Sequence, residues 1–179
     1  MSALSVGVPT EIKPDERRVA VTPDGVTELV SHDVEVLVQA GAGAGIGIAD
    51  DAYRVAGAEV VDTAEEVWAM AGLVCKVKEP HASELVLLRE DMTLFTYLHL
   101  AAYPAVAEAL CAAGTTGIAY ETVMRADGLL PLLAPMSEIA GRMAVQAGAR
   151  FLEAPQGGRG VLLSGAVTGQ RQRRLATSR

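Results

Sequence analysis

Hydrophobic and polar positions alternate in blocks along the chain. Short β-branched runs, LSVGV, VEVLV, EVV, LVCKVK, TLFTYL and TTGIAYE, are separated by segments of helical periodicity, PDGVTELVSH, DDAYRVAG, TAEEVWAMA and YPAVAEALCAAG. This succession of strand and helix is the pattern of parallel βαβ units. Units of roughly 20 to 25 residues fit crossover connections, whose fixed handedness lays helices on both faces of one twisted sheet. The prediction is a doubly wound α/β fold with a mainly parallel sheet. Thr63, with Glu66 three residues on, predicts a capping box at the start of the AEEVW helix. After the last strand, ADGLLPLLAP is turn-rich, and PMSEIAGRMAVQAGARFLEA predicts a long helix from about Pro135 to Ala154. Its alanines and glycines suit close packing against another element. The closing QRQRRLATSR, with four arginines and no acid, reads as disordered.

Composition narrows this picture. The 179 residues suffice for one compact domain with an appendage. Half of them are hydrophobic but only 4% are aromatic, so Val, Leu, Ala and Ile must build the core. A net charge of -7 excludes nucleic acid as the main partner and favours a small molecule. Cys75 and Cys111 form no CxxC pair, so no metal site is expected, and each is read as a small core residue. No run of about twenty apolar residues and no basic leader occurs, which predicts a soluble cytoplasmic protein without a membrane segment.

Ligands of open parallel sheets bind beyond the carboxyl ends of the strands. In GLVCKVKEP, Val74, Lys76 and Lys78 share one face of a strand and Cys75 and Val77 the other. Lys78 ends that strand, and His99 ends the next, LFTYLHLAA. The loop after the first strand, GVPTEIKPDERRVAVTP, carries Lys13, Arg17 and Arg18. Together Arg18, Lys78 and His99 would bind a small carboxylate and protonate or polarise a neighbouring carbonyl, the chemistry of an oxo-acid site. A plainer reading stands beside it. The two lysines would snorkel from an edge strand, and the loop cations would balance Glu11, Asp15 and Glu16. QAGAGAGIG follows a strand but fits no GxGxxG register, so it is read as a permissive turn. Ser137, at the start of the long helix, is expected to cap it.

The motifs GVPTEIKPDERRVAVTP, QAGAG, LVCKVKEP, LFTYLHLA, AYETV, PLLAPMSEIAGR and QGGRGVLL together resemble the NAD-dependent L-alanine dehydrogenases, from about Ser5 to Leu163. The related transhydrogenase α subunits share the GxPxE and RVAxTP patterns, but KVKEP and LHLA match the alanine dehydrogenase branch. The resemblance implies a Rossmann-like substrate domain over residues 1–134 and an inter-domain linking helix over 135–154. Residues 155–179 would begin an NAD-binding domain and end in a divergent tail. It implies that Arg18 and Lys78 hold the carboxylate of pyruvate or L-alanine, that Tyr97 packs beside the substrate, and that His99 handles protons at the reacting carbonyl or imine. Met136 and Ser137 would border the nicotinamide. NAD is the implied cofactor and a homohexamer the implied assembly. The match stops before the family's dinucleotide fingerprint, so the expectation is a substrate half inactive as an isolated chain. The alternatives are a non-catalytic remnant or pyruvate-binding module, and a transhydrogenase-like subunit.

Overall fold

The computed structural model describes residues 4–163. The chain divides into two compact units, Met1–Leu130 and Pro131–Arg179. The first is the α/β body. Its strands are β1 (Ser5–Val8), β2 (Glu35–Gln39), β3 (Glu59–Val61), β4 (Leu73–Cys75), β5 (Thr93–Thr96) and β6 (Thr116–Ala119). Its helices are α1 (Pro23–Ser31), α2 (Asp50–Val55), α3 (Ala64–Met70) and α4 (Pro104–Ala113). All five strand pairings are parallel, in the order β3-β2-β1-β4-β5-β6. This is the doubly wound order, in which successive strands first run one way from β1 and then the other.

The central strands β1, β2, β4 and β5 are covered on both faces, whereas β6 at the sheet edge is largely exposed. Val6, Val8, Val36, Val38 and Cys75 pack with Val26 of α1 and Tyr53 of α2. Leu37, Val74 and Leu94 pack with Trp68 of α3 and with Val106 and Leu110 of α4. Gly7 lets α3 lie close to β1, since a Cβ there would stand 2.6 Å from Ala71 Cβ and 2.7 Å from Val67 Cγ1. The predicted capping box is present, with Thr63 Oγ1 accepting from Glu66 N and the Glu66 carboxylate accepting from Thr63 N.

Three expectations need correction. First, β4 lies in the middle of the sheet and stops at Cys75, so LVCKVK is neither an edge strand nor extended pairing throughout. Lys76 does not snorkel to solvent; it is 1% exposed. Second, Cys75 is buried but Cys111 lies exposed on α4. Burial pushes the Cys75 thiol up to about 12. Third, Ser137 is not a cap. Helix α5 (Ala134–Leu152) begins three residues earlier with Leu133 as its N-cap, and Ser137 Oγ donates back to Leu133 O at 3.5 Å. Helix α5 belongs to the second unit, and the arginine-rich ending lies outside the described residues.

Candidate functional site

The strand order changes direction between β1 and β4, and beyond the carboxyl ends of strands at such a switch point is where open parallel sheets bind ligands. The loops after β1, β4 and β5 bring the candidate residues there. β1 and β4 are paired only at Val6 with Leu73 and Gly7 with Val74. Past that point a side chain replaces the ladder. Glu11 Oε1 accepts from Val77 N at 2.6 Å, and Oε2 accepts from Lys78 N at 3.4 Å. On the other side the chain still follows β5, with Lys76 N donating to Phe95 O at 3.1 Å. Thr96 Oγ1 donates to Lys78 O at 2.9 Å. Lys78 is half-buried and, among the described residues, has no ion-pair partner.

The end of β5 is built the same way. Glu121, just past β6, accepts from His99 N at 2.7 Å and from Leu98 N at 3.3 Å. His99 is exposed and takes a left-handed backbone with φ 46°. Its ring stacks on Tyr97, with centroids 5.8 Å apart and planes 11° from parallel. Tyr97 meets Tyr120 edge to face at 5.1 Å, and Tyr120 meets Phe95 likewise at 4.3 Å. Burial pushes the Tyr97 phenol up, against the pull of the Arg18 charge.

Arg18 is held by its own loop. Its Nε and Nη2 donate to the two oxygens of Glu16 at 2.8 and 2.6 Å, and Arg18 N donates to Glu16 Oε1 at 2.9 Å. The guanidinium keeps the Glu16 carboxyl at about 2, with a smaller contribution from Lys78. Lys13 donates to Glu79 and, at 3.1 Å, to the Tyr103 hydroxyl, which ties the β1 loop to the loops after β4 and β5. Glu16 thus holds Arg18 by hydrogen bonds and feels the Lys78 charge, Arg18 and Tyr97 feel one another's fields, and Tyr97 stacks on His99. These residues form one group. Met136 and Ser137 lie on α5 in the other unit.

Sequence reasoning missed the carboxylates. Glu11, Glu16 and Glu121 were read as loop charge or not at all, although each lies in a loop that follows a strand. An acid there is a signal in itself, because two successive amides beyond a strand end need an acceptor.

The glycine-rich turn after β2 serves the protein and not a phosphate. A Cβ at Gly43 would meet Ile48 O at 2.8 Å, and one at Gly45 would meet Arg17 O at 2.5 Å. With protein atoms this close, that loop does not fit the pyrophosphate of a dinucleotide.

Fold and site define a doubly wound α/β domain with cationic groups gathered at its switch point. The family model for the alanine dehydrogenase/PNT N-terminal domain matches residues 7–140. The chain belongs to that family. It is 58% identical over 160 residues to the alanine dehydrogenase of Mycolicibacterium smegmatis, covering 89% of this chain and 43% of that protein. Against the alanine dehydrogenase of Bacillus subtilis it is 56% identical, covering 89% and 42%. Among solved structures, an L-alanine dehydrogenase superposes with a TM-score of 0.83 at 52% identity, covering 91% of this chain and 45% of that one. A transhydrogenase from Sinorhizobium meliloti gives 0.63 at 31% identity, covering 68% and 36%. The chain therefore spans less than half the length of these relatives. Among the described residues, no helix is long and apolar enough to cross a membrane.

Proposed function

We propose that this chain is the substrate-binding part of an NAD-dependent L-alanine dehydrogenase, which interconverts L-alanine, NAD and water with pyruvate, ammonium, NADH and a proton. The observation that carries this reading is the ammonium of Lys78, which has no ion-pair partner among the described residues, at the switch point beside the Glu16-oriented guanidinium of Arg18. A carboxylate entering there meets the point charge of Lys78 beside a guanidinium whose orientation Glu16 sets. Tyr97 and His99, stacked at the end of β5, would flank the rest of the small substrate, and the exposed imidazole would exchange a proton with the carbonyl or imine.

Bound NAD would supply the hydride acceptor. The glycine-rich loop after β2 offers its pyrophosphate no cradle, and the share assigned to this chain's own residues is substrate binding. In the same proposal residues 1–134 are the substrate domain and 135–154 the linking helix. Met136 and Ser137 would border the nicotinamide, the location would be cytoplasmic and the assembly a homohexamer. The greater similarity to alanine dehydrogenases than to the transhydrogenase favours this reading over a transhydrogenase subunit.

The test is calorimetric titration of the chain with pyruvate, together with an assay of NADH formation from L-alanine. Binding without NADH formation is expected, and Lys78→Met should weaken it at least about tenfold, the loss of one charge-assisted hydrogen bond. Equal affinity in the Lys78→Met protein would overturn the reading.

A further inference from the structure

Lys76 takes no part in the carboxylate binding proposed above, yet the fold buries it. Its side chain is 1% exposed, and its ammonium lies 2.8 Å from Glu84 Oε1 and 3.5 Å from Glu11 Oε2. Glu11 and Glu84 are themselves only 3% and 6% exposed. Three buried charges are a poor device for stability, because desolvation opposes their attraction and apolar packing serves as well or better. Their use lies in what they hold. Each oxygen of the two carboxylates has a donor: Glu84 Oε2 accepts from His81 N at 2.7 Å, and Glu11 accepts from Val77 N and Lys78 N. Glu11 thus stands between a buried ammonium and the backbone of Lys78.

We propose that Lys76 is a positioning residue whose ammonium keeps the Glu11 carboxylate aimed at the amides of Val77 and Lys78, fixing the chain end from which Lys78 reaches a substrate carboxylate. The inference rests on the role assigned to Lys78. Burial raises the Glu11 carboxyl and Glu84 pushes the same way, while Lys76 and the two amides oppose them. Arg18 and the Tyr120 hydroxyl also lie within its field. With Lys76 removed, two buried carboxylates face each other, and one of them takes up a proton. A protonated Glu11 is a poorer acceptor for two amides at once. The end of β4 then loosens although no atom that touches substrate has changed.

The experiment compares Lys76→Met, Lys76→Arg, Glu11→Gln and Lys78→Met in the full chain. It measures pyruvate Kd, amide hydrogen exchange at Val77 and Lys78, and the thermal unfolding midpoint. Lys76→Met and Glu11→Gln are expected to weaken pyruvate binding about tenfold and to speed exchange at the two amides about tenfold or more. The amides of β2 should keep their rates, and Lys76→Arg should restore most of both effects. A lowered midpoint alone, with Kd and local exchange unchanged at a temperature where all variants are folded, would overturn the proposal. If Lys76→Met does not fold, the near-isosteric Glu11→Gln decides on the same criteria. Lys78→Met separates the two levels. If that variant binds as tightly as the parent, or the parent takes up no pyruvate, the site reading fails. The exchange rates then decide alone, and parental rates in Lys76→Met and Glu11→Gln overturn the role of Lys76.

Discussion

Glu16 makes Arg18 usable. An arginine on a polar loop samples many rotamers, and two bonds from its guanidinium to one carboxylate, with a third from its own amide, select one of them. The same bonds hold Glu16 well below its ordinary value of 4.5, at about 2. A depressed carboxylate contributes stability that is fully present above the unfolded value and is lost as pH falls through the folded one. Glu16→Gln is therefore expected to flatten the pH dependence of stability between 4.5 and about 2, as measured by urea unfolding across that range. An unchanged acid profile would show that Arg18 is oriented by other groups. The places of Lys78, His99 and Arg18 after β4, β5 and β1 were legible in the sequence, because the strands themselves were. Glu11 and Glu121 were not, since nothing local says that Glu11 will fold onto amides 66 and 67 positions away.

Elements repeat this division. The alternation of β-branched runs and helical periodicity located the six strands and five helices of the described residues, most clearly where a central strand feeds two cores and each of α1 to α4 feeds one. The order of strands was not legible, as it depends on which crossovers pack on which face. The end of β4 was misjudged for a related reason: LVCKVK has the composition of a strand throughout, but the Glu11 side chain takes over from β1 as its partner. The loop after β2 carries a functional consequence despite having no phosphate to bind. Gly45 lies so close to the main chain of Arg17 that a Cβ would fall 2.5 Å from its carbonyl oxygen. Gly45→Ala is expected to cost about 1–3 kcal/mol of stability, as overpacking does, and to displace the neighbouring Arg18. Urea melts would read the first effect and pyruvate titration the second. Parental values in both would mean that the two loops part freely.

At the scale of the molecule, the residues assigned to the substrate carboxylate fall within the first compact unit. That unit alone, Met1–Leu130, is expected to unfold cooperatively and to bind pyruvate with the affinity of the full chain, which circular dichroism and calorimetry would measure. Loss of affinity on shortening would assign part of the site to the second unit. The fold class was legible at this scale, and the turn-rich ADGLLPLLAP marks the stretch in which the two compact units part, after Leu130. The switch point has a further consequence during synthesis. β1 pairs with β2 on one side and with β4 on the other, and β4 begins at Leu73, long after β1 ends at Val8. At about 5 to 20 residues per second, the ribosome leaves one edge of β1 without its neighbour for roughly 3 to 13 s. Throughout that interval the nascent chain presents an unpaired apolar strand, Val6, Gly7 and Val8, to any other chain nearby. A switch point at the middle of the sheet thus leaves the central strand open on one side until the fourth strand is translated.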